Sequence, residues 1–255
     1  MKGETDEIPP EMLRARPRTI YVEMTSRCNL LCTYCPVSQP DYKGEDLLME
    51  PEALADVLAR AQPDEVQLSG HGETTMLRDW TRVARLLLDR GLTVTITSNF
   101  AKRFSDEEID TLARFRAVKI SVDTTDADLQ FQLRRGLKLD KLTDNLDRLV
   151  AYCEANFIEK PFLHISCTIT HLNMPLVPDL VRWTHARKAH ALALVNLVRH
   201  PDVEGAVKIL HPSEVDPLGA LRAIDEAQII ADELGVRFDM EPGLVDSLEV
   251  GQTWQ

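Results

Sequence analysis

The chain has 255 residues, 44% of them hydrophobic and 27% charged, enough apolar material for one large domain or two small ones, which excludes disorder, collagen and coiled coil. Its 41 acidic against 29 basic residues give a formal net charge of -12, a field that repels nucleic acid and anionic membranes. The opening MKGETDEIPP lacks the apolar core of a signal peptide, and no apolar run approaches the roughly 18 residues of a membrane span, so the expectation is a cytoplasmic protein.

Residues 1–18 are acidic, contain proline and lack periodicity, and are expected to form an arm. Beyond them, β-branched runs predict strands at Thr19–Met24, Glu65–Ser69, Leu92–Thr97, Val118–Val122, Phe162–Thr170 and Ala191–Val198, with a weaker one at Val236–Met240. Helical spacing fills the intervals. Pro51 suits a first helical position ahead of Leu54, Val57 and Leu58, and Leu77, Val83, Leu87 and Leu88 run to a stop at Gly91. Ser105 and Glu108 form a capping-box pattern before Ile109 and Leu112, Leu142 to Val150 is amphipathic, and Leu221 to Leu234 runs to Gly235.

Such alternation implies right-handed βαβ units and a mainly parallel sheet, either doubly wound or rolled into a closed or partial barrel, with function at the C-terminal ends of the strands. Polar residues fall at those ends: Thr25-Ser26, Ser69-Gly70-His71, Ser98-Asn99, Asp123-Thr124-Thr125, Thr170-His171 and Arg199-His200. The domain expectation is an arm at 1–18, a core barrel at 19–200 and a C-terminal helix and strand at 201–255 packed on that core.

Three of the five cysteines, Cys28, Cys32 and Cys35, lie within eight residues in a C-x3-C-x2-C pattern directly after strand 1, while Cys153 and Cys167 stand alone and read as core. An odd cysteine count argues against a disulfide framework. Offsets of 0, 4 and 7 would place the three sulfurs on one face of a helix, but Asn29, Thr33 and Pro36 suit a loop better. Structural zinc wants four ligands, and the nearest histidine, His71, is a whole βα unit away. A four-iron cluster held by three thiolates would leave one iron open to another ligand.

The C-x3-C-x2-C loop, with Tyr34 before its last cysteine, resembles that of the radical S-adenosylmethionine (radical SAM) superfamily. Leu68-Ser69-Gly70-His71-Gly72-Glu73 is similar to the family's glycine-glycine-glutamate motif, with His71 as a departure. Thr97-Ser98-Asn99, Ser121-Val122-Asp123 and Arg134-Arg135-Gly136 match its Thr-Asn-Gly, Ser-Ile-Asp and Arg-Gly stretches in order. The resemblance covers roughly residues 19 to 200 and implies a partial (β/α)6 barrel in which Cys28, Cys32 and Cys35 ligate a [4Fe-4S] cluster. In the family, the methionyl group of SAM chelates the fourth iron, and reductive cleavage yields a 5′-deoxyadenosyl radical that abstracts hydrogen from a substrate. It further implies that Gly70 and Gly72 admit the methionyl group, that Glu73 accepts from its ammonium, and that Tyr34 lies beside the adenine. Ser98, Asn99, Ser121 and Asp123 would bond the ribose or methionyl carboxylate, although helix capping competes as an explanation for Ser121 and Asp123.

The substrate-facing candidates are His71, His171, Asn196, Arg199, His200 and Glu241, with Arg199 the best anion contact. They suggest a small polar metabolite undergoing epimerisation, rearrangement, elimination or decarboxylation; a peptide substrate is the alternative. No cysteine follows Cys167, so one cluster is expected, served by a reducing partner such as flavodoxin or ferredoxin. The rival from another class is a non-catalytic protein, in which the cysteines hold zinc or a cluster that only carries electrons.

Overall fold

The computed structural model describes residues 18–46, 50–198 and 209–251. The expected arm up to residue 17, together with Arg199, His200 and Trp254, lies outside them.

Seven strands form one parallel sheet in the order β1 (Thr19–Val22), β3 (Glu65–Leu68), β4 (Val94–Ser98), β5 (Ala117–Ser121), β7 (Phe162–Thr168), β8 (Ala191–Val195) and β9 (Arg237–Met240). Every neighbouring pair is parallel, as Val118 beside Leu163 and Cys167 beside Leu194 illustrate. The order never reverses, and right-handed crossovers that all step the same way put every connecting helix on one face. That decides for a partial barrel against a doubly wound sheet, with its opening between β1 and β9. The weak strand predicted at Val236–Met240 is a full seventh member, β9, paired to β8 from Ala191 to Leu194.

The helices are α1 (Pro51–Ala61), α2 (Trp80–Asp89), α3 (Asp106–Ala113), α4 (Ala127–Leu133), α5 (Leu139–Ala155), α6 (Val177–Ala186), α7 (Pro217–Leu234) and α8 (Leu244–Gly251). The capping box at α3 forms in full, with Ser105 Oγ accepting from the Glu108 N–H and Glu108 Oε2 from the Ser105 N–H. Gly235 ends α7 at φ 67°, the left-handed conformation that glycine adopts without a Cβ penalty. The predicted second helix starts at Trp80 instead of Leu77, because residues Thr74–Met76 form a short 3-10 turn built on the Glu73 side chain.

Along β7, Leu163, Ile165 and Cys167 are fully buried in the core under the helices, while Phe162, His164, Ser166 and Thr168 alternate onto the opposite face. Cys153 lies in α5 at 1% exposure, so both lone cysteines are core residues. β1, β3, β5, β7 and β8 end one to three residues earlier than the β-branched runs suggest, where the chain turns into the loops at the sheet's C-terminal edge. Among the described residues, no helix is long and apolar enough to cross a membrane.

A two-stranded antiparallel ribbon, β2 (Leu31–Cys32) with β6 (Arg134–Arg135), sits at that edge and was not predicted. Two residues per strand carry no periodicity for a sequence to show.

Candidate active site

The cysteine loop crosses the C-terminal edge of the sheet and is pinned at both ends. At its start, the Thr25 hydroxyl donates to Asp46 Oδ1 at 2.6 Å, the Ser26 N–H to the Glu45 carbonyl at 2.8 Å, and Arg27 Nε to the Gly44 carbonyl at 3.0 Å. The Arg27 carbonyl accepts from the Glu73 N–H at 2.8 Å, joining the cysteine loop to the loop after β3. A Cβ on Gly72 would overlap the Thr25 and Arg27 carbonyl oxygens, so this close backbone approach requires glycine. A Cβ on Gly70 would meet the Glu23 side chain, which also accepts from the His71 N–H.

Toward its end, the loop is held by the β2–β6 ribbon, where Cys32 faces Arg134 and the Thr33 N–H donates to the Leu133 carbonyl at 2.9 Å. Arg134 forms a bidentate pair with Asp123, Nε to Oδ2 at 2.8 Å and an Nη to Oδ1 at 2.9 Å. The side chains are 11% and 0% exposed, so the charges are buried together. The Tyr34 hydroxyl donates to Asp123 Oδ2 at 2.6 Å, the Thr168 N–H to Oδ1 at 3.0 Å, and the guanidinium lies 5.7 Å from the Tyr34 ring centroid.

These segments enclose a cavity of about 150 Å³ whose wall holds Cys28, Cys32, Cys35, Tyr34, Gly70, His71, Gly72, Glu73, Ser98, Asn99, Ser121 and Arg134. The expected cofactor contacts therefore converge, except Asp123. Its carboxylate faces Arg134, Tyr34 and Thr168, which makes it an internal anchor of the loop, and the helix cap nearby is Asp126, not Asp123 or Ser121. Tyr34 lines the cavity by its ring, its hydroxyl being engaged by Asp123. Glu73 is 3% exposed and accepts from Thr75, Ser98 Oγ at 2.9 Å and the Asn99 N–H at 2.7 Å. It ties the loops after β3 and β4 together. Asn99 Nδ2 donates to Asn29 Oδ1 at 2.8 Å and lies 3.8 Å from the Cys28 sulfur.

Of the substrate candidates among the described residues, only His71 borders this cavity. His171 belongs to a separate cavity of about 380 Å³ against the start of α7, and its Nδ1 accepts from the Leu210 N–H at 3.1 Å. The Asn196 side chain bonds His211 Nε2 at 3.2 Å, and Glu241 accepts from the Asn196 N–H at 2.7 Å; each secures the loop after β8. Sequence reasoning missed Arg134 as a site residue, although the Arg-Gly pair was visible; Arg134 pairs with Cys32 in the ribbon, and Gly136 at φ 101° turns the chain out of it.

Burial holds all three thiols above the ordinary cysteine range. Cys32 is pushed up to about 12, with Arg134 acting against the shift, and Cys28 and Cys35 are raised less. They ligate metal only on losing their protons, so metal uptake here releases protons. All five cysteines are unpaired. Among the described residues, no three His, Cys, Asp or Glu side chains close on a single metal ion. Tetrahedral zinc draws its thiolates to within about 4 Å of one another; thiols ringing a shared cavity suit a multi-iron cluster, each on its own iron.

Residues 22–174, well over half of the chain, match the family model described as the Radical SAM superfamily. The chain is 26% identical over 225 residues to a GTP 3′,8-cyclase of Mesorhizobium japonicum, covering 84% of this chain and 64% of that protein. It is 24% identical over 185 residues to a tungsten-containing aldehyde ferredoxin oxidoreductase cofactor-modifying protein of Pyrococcus furiosus, covering 70% of this chain and 51% of that one. Streptococcus suis SuiB bound to S-adenosylmethionine superposes with a TM-score of 0.70 at 18% identity, over 88% of this chain and 50% of SuiB, which shows a common fold. The chain thus spans between half and two-thirds of the length of these proteins. The chain belongs to the radical SAM superfamily, whose enzymes work with a [4Fe-4S] cluster and S-adenosylmethionine.

Proposed function

We propose that Cys28, Cys32 and Cys35 hold the [4Fe-4S] cluster, that the adjoining cavity takes SAM, and that the enzyme removes a hydrogen atom from a small polar metabolite in a biosynthetic pathway. The observation that carries this reading is the convergence of the three thiols with the Gly70–Glu73 loop, Ser98, Asn99 and Ser121 on one cavity. Bound and reduced by an external donor such as flavodoxin or ferredoxin, the cluster and SAM supply a carbon-centred radical capable of hydrogen abstraction.

The chain's own residues fix where that happens. Gly70 and Gly72 let the loop after β3 pack directly against Glu23 and the Thr25 and Arg27 carbonyls, which sets that loop beside the cysteines at the cavity. Glu73 positions this loop through Ser98 and Asn99. Ser121 offers a hydroxyl at the exit of β5, Ser98 at the exit of β4 spends its own on Glu73, and the Tyr34 ring gives a flat apolar wall. Arg134, held by Asp123, lies beside Cys32 and acts against the rise that burial imposes on that thiol.

The metabolite reading draws support from those relatives that are GTP 3′,8-cyclases, whose named substrate is a small polar molecule. A peptide substrate is the second reading, favoured by the fold shared with SuiB, which has been solved with its precursor peptide SuiA. The test is anaerobic reconstitution with iron and sulfide, followed by SAM and dithionite, measuring 5′-deoxyadenosine against Cys32→Ala. Cysteine-dependent product supports the assignment, and deuterium transfer from candidate metabolites then identifies the substrate. A colourless protein that binds zinc and no iron would overturn it.

A further inference from the structure

On the sheet face turned away from the helices, a chain of hydrogen bonds ends in the active-site cavity. Leu68 and Ile96 are fully buried in the core, so Gln67 on β3 and Thr97 on β4, their neighbours in the strands, lie on the opposite face. Lys119 Nζ, on β5, donates to Gln67 Oε1 at 3.0 Å. Gln67 Nε2 then donates to Ser69 Oγ at 3.1 Å and to Thr97 Oγ1 at 3.3 Å. Ser69 and Thr97 are half-buried, and both line the cavity that holds the three cysteines.

Lys119 sets the direction of every bond in this chain. An ammonium only donates, so the Gln67 oxygen faces Lys119 and the amide NH2 faces the two hydroxyls. An NH2 group also only donates, so Ser69 and Thr97 both accept from it. Among the described residues, neither hydroxyl passes its own proton on to an acceptor. The cavity wall therefore offers two O–H donors side by side. Lys119 pairs with no carboxylate among the described residues, and its charge, one amide behind those donors, suits them to an anion.

We infer that the Ser69 and Thr97 hydroxyls form a subsite for a carboxylate group of the substrate, with Gln67 and Lys119 as the positioning residues that hold both hydroxyls as donors. This rests on the functional reading above and adds the chemical class of the substrate. On that reading the methionyl end of SAM goes to the iron at the cysteines, which leaves these hydroxyls to the second ligand. Two donors match the two oxygens of a carboxylate, and one cation matches its single charge; a phosphate dianion would keep half of its charge unopposed.

The test measures propionate binding to the anaerobically reconstituted, unreduced protein by saturation-transfer NMR, beside propionamide and inorganic phosphate, with and without saturating SAM. Propionate is expected to bind about tenfold more tightly than either, whether or not SAM is present. Gln67→Glu keeps the shape and the Lys119 contact but puts an acceptor where the NH2 was, so both hydroxyls turn their protons toward it and away from the cavity. It is expected to weaken propionate binding by about tenfold or more, and Ser69→Ala with Thr97→Val to abolish it. If Gln67→Glu fails to fold, Lys119→Met, which frees the amide to rotate, takes its place with the same loss expected. The inference is overturned if propionamide or phosphate binds as tightly as propionate or if SAM displaces it. It is equally overturned if the Gln67 or Lys119 variant binds propionate unchanged, or if binding survives loss of both hydroxyls. Propionate binding that follows these variants without 5′-deoxyadenosine formation on reduction would refute the functional reading and leave this subsite standing; SAM cleavage without propionate binding would do the reverse.

Discussion

Replacing Arg134 with methionine tests how the cysteine loop is held. The substitution deletes the 2.8 and 2.9 Å bonds to Asp123 and leaves a carboxylate with 0% side-chain exposure facing only the Tyr34 hydroxyl and the Thr168 N–H. Removing one partner of a buried ion pair costs about 3–5 kcal/mol, since the remaining charge stays out of water. That moves the folding equilibrium by about two to four orders of magnitude. Removing both charges, in Asp123→Asn with Arg134→Met, is expected to recover a large part of the loss, because no charge is then stranded. Urea unfolding of the four proteins of this cycle, followed by circular dichroism, gives the coupling directly. Because Arg134 is the strand partner of Cys32, iron bound per chain after reconstitution should fall in parallel. A single-variant loss below about 1 kcal/mol, or a double variant no more stable than Arg134→Met, would refute the anchoring role of the pair.

Further outcomes follow from the same geometry. Gly72→Ala drives a Cβ into the Thr25 and Arg27 carbonyls and should sharply reduce iron loading, whereas Gly91→Ala, with nothing within 4 Å but φ 73°, should lose only about 1 kcal/mol of stability and keep its iron. Cys153→Ala, inside α5, should retain a full iron complement while costing about 1 kcal/mol; iron analysis beside Cys28→Ala makes the contrast. His190, lowered by burial and by Lys160, accepts the Leu163 N–H at Nδ1 over 2.9 Å. Its folded form takes up a proton less readily than the unfolded chain, whose histidine titrates near 6.5, so its contribution is complete above that pH and is lost as pH falls toward the folded value. Denaturation midpoints from pH 7.5 to 5 should therefore drop more steeply for the wild type than for His190→Gln, and equal slopes would contradict the assignment.

The sequence alone determined the repeating strand-and-helix order, the two lone cysteines as core, and the loop with Cys28, Cys32 and Cys35. Each rests on local information: alternation along Phe162–Thr168, the Ser105–Glu108 cap, the spacing of three thiols. Tertiary structure decided what depends on partners distant in the chain. Doubly wound sheet and partial barrel share one local pattern, and only the unreversed strand order separates them. The partners of Asp123, which are Arg134 and Tyr34, and those of His171 and Asn196, which are Leu210 and His211, are likewise visible only in the fold. A polar side chain at a strand exit has the same appearance in sequence whether it faces a ligand or another residue, because the difference lies in which distant donor the fold places against it.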